Sequence, residues 1–218
     1  MTVDTPQIIV GVLALQGAFL EHVNMLKKIP QVKQVILVRT EDQLNHIDAL
    51  IIPGGESTSM ALIAERCHLL EPLRTFVQTK PTWGTCAGMI LLAKEAHGSK
   101  RGGQALVGGL DVSVNRNQFG SQKESFRASL HLPEVLGDTP FDAVFIRAPV
   151  ISQITSSKVK VVGRLEQRVG QTKAETAVAV IQNHLFATAF HPELTSDNRL
   201  HQYFVDMALR HAHNNTFV

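Results

Sequence analysis

Gly84-Thr85-Cys86-Ala87-Gly88 sets a cysteine among glycines, between a short apolar stretch and a longer one. That is the geometry of a nucleophile elbow, a sharp strand-to-helix turn that presents one side chain on a strained residue. The glycines relieve crowding where the chain reverses. A helix starting after Cys86 points its free N–H groups at the sulfur, which favours thiolate over thiol. It also places the Ala87 N–H to donate to an oxyanion. The usual fate of a lone cysteine is to pack as a small hydrophobe. Cys67, on a helical stretch without glycines, is expected to do that.

A cysteine nucleophile needs a base, and the base needs an orienting carboxylate. Of the ten histidines, His191 stands out because it closes the apolar run Leu185 to Phe190 and precedes Pro192-Glu193. Residues two apart on an extended chain face one side, so His191 and Glu193 can sit together on the rim where Cys86 is expected. Alone, His-Pro-Glu is a weak pattern; joined to a cysteine elbow it completes a triad. His211 and His213 lie in a polar tail and are expected to be solvated. In Pro53-Gly54-Gly55-Glu56-Ser57-Thr58 the glycines let backbone N–H groups turn inward. Gly55 can then supply a second oxyanion donor, acting on charge that develops only in the transition state. Glu56 suits the ammonium of an amino acid. As a bare pattern the segment reads more simply as a strand-to-helix turn capped by Ser57 or Thr58.

The elements that position these residues alternate along the chain. Ile8 to Leu15 is continuous, β-branched and apolar, as in a central strand covered on both faces. A helix over Ala18 to Ile29 follows, with Phe19, Val23 and Leu26 at helical spacing and Pro30 as its stop. Strands are expected at Val35–Val38, Ala49–Ile52 and Thr82–Cys86, and helices around Met60–Ala64 and over Ala87–Lys94. Such alternation gives an α/β fold with a doubly wound, mostly parallel sheet and helices on both faces, its ligands at the strands' carboxyl ends. Residues 105–130 are glycine-rich and polar, an antiparallel extension or long functional loops. Strand patterns return at 143–146, 159–165, 176–182 and 185–190. A last helix over Asp197 to His211 buries Leu200, Phe204, Met207 and Ala208. With no repeat, low-complexity tract or linker, residues 1–218 are read as one domain.

Composition narrows the function classes. The chain is 44% hydrophobic and 18% charged with net charge +2, which gives no sign of a nucleic-acid or polyanion binder. Lys100-Arg101 is a basic pair on an expected loop. Two cysteines argue against a disulfide scaffold and for a reducing compartment. No apolar run is long enough for a membrane span, and the N-terminus carries no signal-peptide pattern. A cytoplasmic protein is expected. The histidines show no His-x-x-x-His spacing for a metal.

Taken together, these segments resemble the class I glutamine amidotransferases, and more closely the Pdx2 family, the glutaminase subunits of pyridoxal 5′-phosphate synthase. The resemblance rests on Gly11-Val12-Leu13-Ala14-Leu15-Gln16-Gly17-Ala18 with Glu21-His22, on Pro53 to Thr58, and on Trp83 to Gly88. It continues through Arg116-Asn117-Gln118-Phe119-Gly120, Phe145-Ile146-Arg147-Ala148-Pro149 and Phe190-His191-Pro192-Glu193-Leu194. It implies a flavodoxin-like fold with Cys86 as nucleophile, His191 as base, Glu193 as orienter, and Gly55 and Ala87 as oxyanion donors. L-Glutamine would be bound by Gly55, Glu56, Ser57, Arg116, Ile146 and Arg147, with Arg116 able to hold its carboxylate bidentately. The resemblance also implies ammonia delivery to a Pdx1-type synthase subunit, little activity without that partner, and no cofactor or metal of the chain's own. Gln118 and Ser121 depart from the Arg-Asn-Ala-Phe-Gly-Arg-Gln expected there, which bears on partner affinity. Ser152 to Thr172 offers no motif that bears on function. Rival readings are a glutaminase for another synthase, such as that of histidine biosynthesis, a non-catalytic binding subunit, and a DJ-1-like redox protein.

Overall fold

The computed structural model describes residues 6–98, 103–116, 125–169 and 172–215. In chain order its elements are β1 (Ile8–Leu13), α1 (Phe19–Leu26), β2 (Val32–Val38), α2 (Glu41–Leu44), β3 (Ala49–Ile52), α3 (Ser57–Arg66) and α4 (Leu70–Thr79). Then come β4 (Thr82–Thr85), α5 (Ala87–Leu92), β5 (Ala93–His97), β6 (Leu110–Asn115), β7 (Ser125–Leu130), α6 (Pro133–Leu136) and β8 (Phe141–Ile146). The chain finishes with β9 (Val150–Ile154), β10 (Lys160–Val169), β11 (Thr172–Gln182), β12 (Leu185–Thr188), a 3-10 turn over Pro192–Leu194, and α7 (Arg199–Asn215).

Seven strands form the main sheet in the order β10-β11-β12-β4-β3-β1-β2. The five from β2 to β12 pair in parallel, and β11 and β10 extend the β12 edge antiparallel. Numbered by chain order, the parallel strands run 2-1-3-4-5, the flavodoxin-like order. The apolar runs dictate this: every residue of β3, β4 and β12 is buried, as a central parallel strand requires. Trp83 on β4 turns toward α1 and α7, meeting His22, His201 and Phe204. Its neighbour Gly84 faces the other way, onto Gly88 of α5. Helices therefore cover both faces, and the core runs through the sheet. No helix among the described residues is long and apolar enough to cross a membrane.

The small extension is a three-stranded sheet, β5-β6-β9, and a hairpin-like pair, β7-β8. Here sequence periodicity falls short. The helix expected over Ala87–Lys94 stops at Leu92, and Ala93 opens β5. All six residues of α5 are buried, so its apolar run has no polar face to mark the end. β2 begins at Val32 rather than Val35, and β12 ends at Thr188 rather than Phe190. Cys67 is exposed at the C-terminus of α3, not packed in the core as expected. His211 lies on α7, not in a solvated tail, and bonds the Thr79 carbonyl at 2.9 Å. Lys100, Arg101, Asn117 to Gly120 and Ser121 lie outside the described residues.

Candidate active site

The carboxyl ends of β1, β3, β4 and β12 converge on one cavity of about 340 Å³. Its lining comprises Gln16, Gly55, Glu56, Ser57, Cys86, Ile90, Arg116, Ile146, Arg147 and His191. All six residues expected to bind substrate are among them, as are Cys86 and His191, the expected nucleophile and base. A larger concavity of about 640 Å³ lies by β7 and β10, lined by His131, Glu134 and Arg164 among others. It has no cysteine in its lining, whereas the smaller one holds Cys86.

Cys86 is the N-terminal cap of α5 and sits at φ 49° and ψ −104°, in the left-handed region that non-glycine residues avoid. Its N–H donates to the Thr188 carbonyl at 2.8 Å, and its carbonyl accepts from Ile90 N at 3.2 Å, so both sides of the strained residue are tied down. The flanking glycines are needed for close approach. A Cβ on Gly84 would run into the Gly88 backbone, and one on Gly88 into the Ile52 carbonyl. Ala87 opens α5, where the first N–H groups have no partner within the helix.

His191 and Glu193 meet, though not by the route expected. β12 has ended, and His191 caps a 3-10 turn that carries Glu193 beneath the imidazole. His191 Nδ1 lies 2.7 Å from Glu193 Oε1, and its backbone N–H is held by the Val144 carbonyl at 2.8 Å. Both side chains are buried. Burial alone would lower the His191 pKa. Its hydrogen bonds to Cys86 and Glu193, and their charge, outweigh that and push it up to about 10. An imidazole so placed holds its proton at neutral pH, facing the cysteine sulfur. Cys86 Sγ also lies 3.9 Å from the Ile146 carbonyl oxygen.

Gly54 packs directly on this pair: a Cβ there would meet His191 Cε1 and Nδ1 and lie 3.3 Å from Cys86 Cβ. Its carbonyl accepts from Ala18 N at 2.9 Å. Since the peptide is trans, the Gly55 N–H leaves on the opposite side. Gln16, to which sequence reading gave no role, clamps the loop by accepting from Glu56 N at 2.8 Å. Its place in the Gln16-Gly17-Ala18 segment was the available signal. Gly17, at φ 93°, lies so close to the Gly54 carbonyl that no side chain fits.

Glu56, not Ser57 or Thr58, caps α3. Its carboxylate accepts from Thr58 N at 3.1 Å and Ser59 N at 2.7 Å. A glutamate one residue before the helix reaches those N–H groups, while the Ser57 hydroxyl is turned onto Gln104. To receive an ammonium the carboxylate must share or exchange these bonds. Burial would raise its pKa, but the bonds from Ser59 and Thr58 prevail and lower it to about 2. Arg116 is likewise engaged, donating to Glu56 Oε1 at 2.8 Å and Thr58 Oγ1 at 3.0 Å. To take a substrate carboxylate bidentately it must exchange these partners. Arg147, at φ 41°, borders the cavity beside Ile146.

Comparison with known proteins agrees with this arrangement. Over 222 aligned residues the chain is 46% identical to a probable pyridoxal 5′-phosphate synthase subunit PDX2 of Arabidopsis thaliana, covering 91% of this chain and 85% of that protein. It is also 46% identical to the pyridoxal 5′-phosphate synthase subunit PdxT of Herpetosiphon aurantiacus, covering 91% and 99%. A crystal structure of a glutamine amidotransferase superposes with a TM-score of 0.77 at 40% identity, over 91% of this chain and 98% of that one. Residues 12–210 match the family model of the SNO glutamine amidotransferases, and the chain belongs to that family.

Proposed function

We propose that Cys86, His191 and Glu193 are the triad with which this glutamine amidotransferase hydrolyses glutamine, within a single domain. The Cys86 sulfur attacks the side-chain amide carbon, and the N–H groups of Gly55 and Ala87 hold the oxyanion. His191 gives its proton to the departing ammonia. It then takes one from water, which cleaves the γ-glutamyl thioester and releases glutamate while the thiolate and imidazolium are restored. Glu193 orients the imidazole and stabilises its charged form. Gly55, Glu56, Ser57, Arg116, Ile146 and Arg147 bind the substrate, with Arg116 leaving Glu56 for the α-carboxylate. This chain needs no cofactor or metal in that scheme.

The ammonia serves vitamin B6 synthesis, passing to a pyridoxal 5′-phosphate synthase subunit of the kind that the relatives' names imply as their partner. Two free cysteines, one of them exposed, suit the cytoplasm. The single observation that carries the reading is the Cys86 elbow, with a base pushed up to about 10 and its carboxylate at 2.7 Å, all at one cavity.

Glutamate release from glutamine, measured with and without a synthase subunit, tests it. Release should rise with the synthase and vanish in Cys86→Ala. Release that survives Cys86→Ala removes the nucleophile assignment. None at all from a docked complex favours a non-catalytic binding subunit.

A further inference from the structure

Behind the triad lie two histidines that the chemistry above does not use. His22 of α1 and His201 of α7 are both 0% exposed, with His22 Nδ1 and His201 Nε2 2.9 Å apart. His22 Nε2 points the other way, 3.2 Å from Thr85 Oγ1 and 3.4 Å from Glu193 Oε2. That oxygen is the one His191 does not touch; it is buried without a hydrogen bond of good geometry, and the His22 nitrogen at 3.4 Å is the polar neighbour placed to donate to it. The residue next to the nucleophile and the second oxygen of the carboxylate thus share one imidazole nitrogen.

The proton positions follow from satisfaction of the buried atoms. Burial first, then His201 and His191, holds the His22 pKa well below the ordinary imidazole range. Burial, with Lys28, lowers His201 to about 3. Both rings are neutral, so one nitrogen of the 2.9 Å contact donates and the other accepts. If His22 carried its proton on Nδ1, a lone pair would face the Glu193 carboxylate and His201 would bury an unpartnered Nδ1–H. If His201 donates from Nε2, its Nδ1 is a bare acceptor, and His22 presents Nε2–H to both Thr85 and Glu193. The second arrangement leaves the smaller penalty.

We propose that His22, fixed as its Nε2–H tautomer by His201, is a positioning residue that holds the second oxygen of Glu193 and so sets the angle at which the first meets His191. The proposal rests on the triad reading above. The groups that face His22 are Glu193 and His191 from the segment after β12, Thr85 and Trp83 from β4, and His201 from α7.

Three measurements, on the full chain and on its complex, test it. In 15N-histidine NMR spectra, with His22 assigned by its loss in His22→Gln, Nε2 should carry the proton and Nδ1 should show an accepting nitrogen. A proton on Nδ1 overturns the proposal whether or not the triad is correct. In the complex with a synthase subunit, His22→Phe should lower kcat for glutamate release roughly ten- to a hundred-fold, with KM for glutamine unchanged. His22→Gln, whose amide can donate to the same oxygen, should recover several-fold of the loss. His22→Phe should also lower the pH at which His191 titrates, a change that a packing role alone would not cause. Unchanged kcat in a folded His22→Phe overturns the proposal. Should that variant not fold, the tautomer in the native chain still decides. Activity surviving Cys86→Ala would instead point to failure of the triad reading itself.

Discussion

The floor and the mouth of the cavity are built by different means. On the floor, Cys86, His191 and Glu193 are buried and held by main-chain bonds to Thr188 and Val144 and by glycines with no room for a side chain. At the mouth, Arg116 and Glu56 hold one another, with side chains 17% and 50% exposed. A buried group fixed by backbone keeps its geometry at no cost of reorganisation, which bond-making needs. A half-exposed ion pair contributes little to stability and exchanges partners readily, which substrate entry needs. In the proposed scheme chemistry is thus fixed at the strand ends, and recognition is left to side chains that can move.

Substitutions can break that division. The largest effect is expected from Cys86→Ala, which should reduce glutamate release by roughly a thousand-fold or more. It should also move the titration of His191 downward from about 10, because the hydrogen bond and charge of Cys86 raise it. NMR titration in both proteins checks the sign, since a raised pKa means the imidazole keeps its proton through neutral pH. Next, Gly88→Ala forces a Cβ against the Ile52 carbonyl, which cannot rotate aside. It should cost about 1–3 kcal/mol in denaturant unfolding, with loss of activity. Arg116→Ala should raise KM for glutamine roughly ten-fold or more while kcat changes little, because its interaction is with substrate rather than with the reacting bond. Glu56→Ala removes the α3 cap and should cost about 1 kcal/mol. Cys67→Ser, at an exposed site away from the cavity lining, should leave both stability and glutamate release unaltered. A floor variant that changed only KM, or a mouth variant that abolished kcat, would contradict the division.

The sequence carried the floor better than the mouth. The glycines around Cys86 and the apolar runs of β3, β4 and β12 state their backbone requirements locally, so the elbow and the parallel sheet were legible, while the strand order came only with the family resemblance. His191 and Glu193 were found for partly the wrong reason, because a 3-10 turn rather than an extended strand brings them together. What Glu56 does depends on which atoms lie nearest after folding, and its own helix outcompetes a ligand that is not yet bound. His22 and His201 left a faint signal, each a histidine among apolar helix residues: His22 beside Val23 and one turn before Leu26, His201 three residues before Phe204. Their pairing joins two helices 179 residues apart, which no local pattern reveals.

The central claim is that Cys86 forms a covalent bond to the substrate. Acid quenching of the complex during turnover of glutamine, followed by peptide mass spectrometry, measures this directly. A γ-glutamyl adduct confined to the peptide that contains Cys86 is the expected result, with its yield increased by the synthase subunit. An adduct on Cys67 instead, or sustained glutamate release with no adduct from a chain carrying Cys86→Ala, would contradict the account.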